Sequence, residues 1–315
     1  MRTYILRRLI LVPFIVFVVS VITFMFVRIL PGDVAVTRLG AAGQNCDACV
    51  QKVRESLNLD KPYPEQYWLW FKDAIRGDFG LSASSTQEIT PELRERAAVT
   101  LQLGAITILF TVLLGVPIGV ISAVKSGRAT DYFLRFFSIL GLSVPNFWTA
   151  TLVVILPSYW WQWTPAQKFT TISEDPVKHF VLLILPALVL ALTASAYVAR
   201  ITRSSMLEAL TSDHVRTARA KGLRESRVVF DHVFRNSLIP LLTVIGLQAG
   251  LILGGSIIIE DIFSIPGMGQ MAGRAVFDRD FMTVQAVTVV IASVFMFITL
   301  IVDVTYAWVD PRIRY

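Results

Sequence analysis

Charge is scarce in this sequence. Asp, Glu, Lys and Arg together make up 17% of its 315 residues, against about 25% in ordinary soluble domains. The mean hydropathy is correspondingly high, at +0.61. Disordered, collagen-like and basic nucleic-acid-binding chains are excluded. Cysteine is nearly absent too. Cys46 and Cys49 are too few for a disulfide framework and have no third or fourth metal ligand beside them, which leaves one local disulfide or two free thiols. No Gly-Lys pair occurs, so there is no P-loop of the G-x-x-x-x-G-K-[ST] kind, and there is no G-x-S-x-G elbow. The three histidines, His179, His214 and His232, are scattered. Catalysis has no visible home.

What the chain has instead is long apolar runs. About 20 such residues cross the ~30 Å hydrocarbon layer as a helix. Six stretches qualify, at roughly 9–30, 99–124, 136–157, 180–198, 239–259 and 282–309. The first is too long, and ends in residues too bulky, for a cleaved signal peptide, so a retained span is expected. Pro117, Pro145 and Pro186 inside the runs predict kinks or close helix contacts. The reading is an all-α integral membrane protein of six transmembrane helices, in three parts. Residues 1–30 hold the N-terminus and the first span, 31–98 form an extracytoplasmic segment, and 99–315 form a core with a loop at about 200–238.

The net charge of +6 is a matter of orientation, not nucleic-acid chemistry. With both ends cytoplasmic, the Lys and Arg of the N-terminus, the 125–135 link, the 200–235 loop and the C-terminus fall inside. Two short outer loops then carry only Lys168, Lys178, Arg274 and Arg279. In the outer segment, Tyr67, Trp68, Trp70 and Phe71 at helical spacing predict an amphipathic helix. An oxidising exterior is compatible with a Cys46–Cys49 bond.

The spans hold few ionisable groups. Asp303 is the main exception and is expected to have a structural partner; Glu260 and Asp261 lie at an outer span end. Gln102, Asn146 and Gln248 are polar groups in apolar tracts, suited either to hydrogen bonds between helices or to lining a path. Between spans four and five, Ser212 or Asp213 can start a helix through a basic segment that Gly222 ends with a left-handed residue. A second helical stretch, 225–236, leads to Pro240. A short rigid knob projecting from the membrane, or a basic helix lying on anionic headgroups, fits this pattern equally well.

This loop, RTARAKG at 216–222, resembles the cytoplasmic loop of permease subunits of ATP-binding cassette (ABC) importers. The form is that of the dipeptide, oligopeptide and nickel permeases. Arg216, Thr217 and Ala218 stand where the general pattern has E-A-A, and Pro240 lies further along than usual. Other blocks agree in order: an Arg pair before span one, LPGD at 30–33, LNLDKPYPEQY and GDFG, SVPNFW at 143–148, IEDIFSIPGMGQ at 259–270 and DVTYAWVDPRIRY at the end.

The resemblance implies the type I importer permease fold in a bacterial inner membrane. It implies a second homologous permease, two ATPase subunits holding ATP and Mg, and an extracytoplasmic substrate-binding protein that delivers peptides or similar small solutes. It places an ATPase-coupling helix at about 213–224. In that helix Gly222 permits the turn, Ala218 and Ala220 allow close approach, and Arg216, Thr217, Arg219, Lys221 and Arg224 supply contacts. A dipeptide, an oligopeptide, a nickel complex, glutathione or heme would all be admissible solutes. The alternatives are an ATP-independent carrier or channel and, less well supported, a membrane-embedded enzyme.

Overall fold

A computed structural model describes residues 2–29, 34–39, 46–56, 58–165 and 168–309. The LPGD block at 30–33 and the basic C-terminal end at 310–315 lie outside the described residues. The helices are α1 (Arg2–Ile29), α2 (Val34–Leu39), α3 (Asp47–Ser56), α4 (Tyr63–Ile75), α5 (Ile89–Val124), α6 (Ala129–Ser143) and α7 (Asn146–Trp161). They continue with α8 (Pro176–Leu210), α9 (Asp213–Ala220), α10 (Glu225–Arg227), a π-helical turn (Val228–Phe234), α11 (Arg235–Ile262), α12 (Met268–Phe277) and α13 (Phe281–Val309). Among the described residues, extended pairing is limited to one isolated bridge between Leu81 and Glu88.

Among the described residues, five continuous helices are long and apolar enough to cross a membrane: Arg8–Ile29, α5, α8, Glu225–Ile262 and Phe281–Thr305. The sixth crossing expected from the sequence is not one kinked helix. Pro145 disfavours helical backbone in the residue before it, and Val144 is extended at φ −93°, ψ 122°. The run therefore breaks into α6 and α7, bent by 93°.

The chain divides into two compact units. One comprises Met1–Arg7, Leu101–Ile265 and Phe297–Tyr315, the other Arg8–Thr100 and Pro266–Met296. The 31–98 segment thus shares a unit with most of α1 and with the start of α13. In the first unit α8 is the central element, its inward face rich in alanine: Ala187, Ala191, Ala194 and Ala199 are all buried. Small side chains let backbones approach, which is how lipid-embedded helices gain packing without a hydrophobic driving force. Gly115 and Gly119, one turn apart on α5, take this furthest. A Cβ on Gly119 would stand 2.5 Å from Thr202 Cβ, and one on Gly115 would stand 2.7 Å from the Ser195 carbonyl.

In the second unit the predicted amphipathic helix is α4. Tyr67 and Phe71 meet Phe17 and Phe24 of α1 edge-on, with ring centroids 5.4–6.1 Å apart, and the Tyr67 hydroxyl hydrogen-bonds Ser20 Oγ at 2.8 Å. Trp68 faces outward. Cys46 and Cys49 are joined by a disulfide at the start of α3, Cα atoms 5.2 Å apart. The segment after α11, which carries Pro266, Gly267 and Gly269, folds as α12. Met268 and Met271 of this helix are buried with Ile89, Leu93, Ala286 and Val287.

Candidate coupling helix and polar sites of the bundle

Eight residues are too few for a helix to persist alone in water, so α9 must be held by packing. Val215 and Ala218, three apart and hence on one face, are buried, Val215 completely, in a cluster with Ala123, Met206, Val228, Val229 and Val233. Val215 alone contributes about 2 kcal/mol by its burial. The outward face carries Arg216, Thr217, Arg219 and Ala220, with Lys221, Gly222 and Arg224 exposed beyond it. Of the two alanines expected to allow close approach, Ala218 is turned into the chain's own core and Ala220 faces out.

The end of α9 is closed by a paired backbone cap. Gly222 N–H donates to the Arg219 carbonyl at 2.9 Å and Leu223 N–H to the Ala218 carbonyl at 3.4 Å, while Gly222 adopts φ +77°. This is the Schellman arrangement, in which a left-handed residue satisfies carbonyls left over at the helix end. Leu223 completes it by packing on the cluster that holds Ala218. Across the turn, Arg219 Nη2 lies 2.7 Å from Glu225 Oε1 and its Nε 3.2 Å from Oε2. Ser212 stands at the N-cap position without a capping side-chain bond; its hydroxyl donates back to the Ala209 carbonyl.

The expected second helical stretch is present but wider than an α-helix. Through 228–234 the π register places Val228, Val229 and Val233 all in the cluster. Side chains also bond carbonyls of this turn. Asn236 Nδ2 donates to the His232 carbonyl at 2.6 Å and Ser237 Oγ to that of Val233 at 3.0 Å. The sequence suggested a loop of about 40 residues; non-helical backbone is confined to 211–212 and 221–224.

Two of the three path candidates make separate hydrogen bonds. Gln102 Oε1 lies 2.6 Å from Nε2 of buried His179, whose Nδ1 is 2.9 Å from the Thr170 carbonyl. Asn146, the first residue after the break, accepts from Thr193 Oγ1 of α8 at 2.6 Å and so braces the bend. Gln248 is half-buried on α11. Asp303 is buried.

A further polar centre was missed in the sequence. Asp131, 1% exposed, accepts two bonds from Arg203, Nε to Oδ1 and Nη2 to Oδ2, both at 2.9 Å. It also accepts from Ser122 Oγ at 2.6 Å and from Gly127 N–H at 3.0 Å. This ties the start of α6 to the end of α5 and to α8. Beside it is a cavity of about 460 Å³ lined by Arg135, Arg200 and Arg203. Sequence reasoning had counted those arginines only as orientation charges. The one available signal was an Asp in the first turn of a helix beside an apolar tract.

Two family profiles together match all of the chain but 105–114. That of the binding-protein-dependent transport system inner membrane component matches residues 115–315, and that of its N-terminal part matches residues 1–104. The chain belongs to this family. Its relatives include a protein named as a probable peptide ABC transporter permease of Sinorhizobium fredii, 36% identical over 315 residues. Two others are a glutathione transport system permease of Escherichia coli K12, 39% identical over 317 residues, and a dipeptide transport system permease of Alkalihalophilus pseudofirmus, 36% identical over 338 residues. Each match covers 100% of both chains.

Among solved structures, the inward-facing MetNI methionine ABC transporter matches this permease with a TM-score of 0.57 at 15% identity, covering 70% of this chain and 96% of that one. An amino acid ABC transporter with histidines matches with a TM-score of 0.54 at 18% identity, covering 71% and 95%. At these identities the likeness is one of fold. The permease is a multi-pass inner-membrane transport subunit with the importer permease fold.

Proposed function

We infer that this permease forms half of the translocation path of an ATP-driven, binding-protein-dependent importer for peptides or similar small solutes. In this reading α9 receives the force. The partners are a second homologous permease, two ATPase subunits that hold ATP and Mg, and an extracytoplasmic substrate-binding protein. This chain contributes no bond chemistry of its own, and both its ends lie in the cytoplasm.

The observation that carries the reading is the way α9 is mounted. A short helix can transmit a displacement only if it does not bend under load. Here the inner face is anchored by Val215 and Ala218, the end is closed by the Gly222 cap, and the turn is clasped by Arg219 and Glu225. What remains outward is a polar, cationic surface suited to a protein cleft. Peptide-type solutes are supported by the named functions of full-length relatives.

The test is to reconstitute the permease with its partners, then compare solute uptake and solute-stimulated ATP hydrolysis for the parent and Gly222→Val. Loss of both activities in a folded, membrane-inserted variant that no longer retains the ATPase supports the reading. Uptake by this chain alone, indifferent to ATP depletion, would sink it and favour a carrier.

A further inference from the structure

Charged side chains are rare on membrane helices, and where they stand they meet a protein partner, a transported ion or a lipid headgroup. Three arginines, Arg135 of α6 and Arg200 and Arg203 of α8, line one cavity of about 460 Å³ beside the end of α5. All of its lining residues fall within the stretch Leu101–Ile265 of a single compact unit. Arg203 is already satisfied, because its Nε and Nη2 both bond Asp131 at 2.9 Å. Among the described residues, Arg135 and Arg200 form no ion pair, and none of the residues lining the cavity is acidic. Of the three positive charges, one is matched by Asp131 and the other two are left for a ligand.

Both of these guanidinium groups are held from behind. Arg135 lies over the ring of Tyr132 at 5.9 Å and Arg200 over that of Tyr197 at 5.0 Å. Each tyrosine is three residues earlier on the same helix, and hence on the same face. A ring attracts the flat side of a guanidinium and leaves its N–H edge open. That planar fork is the geometry that grips a phosphate with two parallel hydrogen bonds. Three of the lining serines donate elsewhere: Ser122 Oγ to Asp131, Ser138 Oγ to the Leu134 carbonyl and Ser143 Oγ to the Ile139 carbonyl. The arginines are therefore the donors that define the site.

The rest of the wall says where the anion comes from. Ile118, Ile139 and Leu142 line the cavity, and the apolar surface continues along α6, where Phe136 and Leu140 are exposed beside Ile139. Ile118 stands six residues before the end of α5 at Val124, about 9 Å along the axis at 1.5 Å per residue. The cavity thus reaches from the polar turn between α5 and α6 across the headgroup layer, roughly 5–7 Å deep, into the hydrocarbon. A soluble anion gains nothing from such a wall, whereas a molecule with a charged head and an apolar tail uses both parts.

We propose that this cavity binds an anionic membrane phospholipid. Arg135 and Arg200 grip its phosphodiester, and an acyl chain lies along Ile139 and the exposed face of α6. No residue of α9 lines the cavity, and the inference does not depend on how the permease is driven.

The full-length permease in neutral detergent would be titrated with dioctanoyl phosphatidylglycerol, dioctanoyl phosphatidylcholine and inorganic phosphate, with bound ligand counted by native mass spectrometry. Saturable binding of phosphatidylglycerol is expected, about tenfold tighter than that of the other two, since choline cancels the charge of one and the other lacks a tail. Arg135→Gln combined with Arg200→Gln should weaken it about tenfold; both residues are exposed, so the variant should fold. Arg128→Gln removes an exposed charge of the neighbouring turn that does not line the cavity, and should leave the affinity unchanged. Equal affinities for the two lipids, or no greater loss in the double variant than in Arg128→Gln, would reduce the effect to diffuse charge and overturn the proposal. Inorganic phosphate binding as tightly as phosphatidylglycerol would assign the cavity to a soluble anion and overturn it too. A double variant that binds lipid normally but no longer retains the second permease would assign the surface to a protein, with the same result.

Discussion

Arg219 and Glu225 clasp each other across the Gly222 turn, Nη2 to Oε1 at 2.7 Å. Both are substantially exposed, and such pairs contribute little to folding, typically under about 1 kcal/mol. Glu225→Gln should therefore leave the melting temperature of the purified chain nearly unchanged. If the clasp stiffens α9 against an ATPase, solute-stimulated ATP hydrolysis should fall several-fold. Equal hydrolysis and transport in parent and variant would remove the clasp from the mechanism.

Gly222 separates backbone strain from crowding. A Cβ there would meet nothing within 4 Å, so substitution costs only the left-handed conformation, roughly 1–2 kcal/mol for an ordinary side chain. Asn tolerates that region better. Thermal unfolding should rank Gly above Asn above Val, with all three folding. Transport should fall more steeply than stability along the same series.

Gly119 makes the opposite case. Its φ is ordinary, and a Cβ would drive into Thr202 and the Ala199 carbonyl at 2.5 and 2.6 Å. Gly119→Ala should destabilise by about 1–3 kcal/mol through overpacking, and Gly119→Leu should abolish folded yield as judged by gel filtration.

The Asp131–Arg203 pair is buried on its acidic side. Breaking a buried pair by removing one partner costs about 3–5 kcal/mol, because the other charge is left uncompensated. Arg203 keeps some access to solvent, so Asp131→Ala should lie at the low end of that range. Asp131→Ala with Arg203→Met should recover part of the loss, read as a melting-temperature difference in a double-mutant cycle.

Asp280 sets an acid limit on the unit it stands in. Burial pushes its carboxyl up, but hydrogen bonds from Ser82 Oγ, Ala83 N–H and Thr283 outweigh this and hold it below its ordinary value. A carboxylate with a lowered folded value adds stability above the unfolded value, near 3.9. That stability is lost as pH falls through the folded value. The melting temperature should decline on acidification below about pH 4, and Asp280→Asn should flatten that decline while lowering stability at neutral pH.

Much of this was legible in the sequence because lipid imposes a long, simple pattern. Runs of 20 apolar residues placed five crossings, and the aromatic spacing at 67–71 placed α4. The sixth crossing was only half legible, since Pro145 announces a disturbance without saying whether the helix kinks or breaks. The path candidates were chosen as polar residues in apolar tracts, and two of them, Gln102 and Asn146, make helix-to-helix hydrogen bonds. Asp131 and Asp280 escaped notice because their partners lie 72 and 198 residues away. Only the fold makes those distances short. The Ser264 and Arg279 turns were hidden for a local reason: both adopt left-handed φ, near +55°, without being glycine.

The π-helical turn at Val228–Phe234 acts as an angular spacer. An α-helix advances about 100° per residue, and an i to i+5 turn accommodates one residue more than the regular winding does. Deleting any single residue there would let the backbone relax to ordinary winding while rotating all of α11 by about that angle. Leu241 and Val244 would swing away from Val198 of α8, which they now cover. This stretch should consequently tolerate exchange of one side chain for another far better than any change in its length.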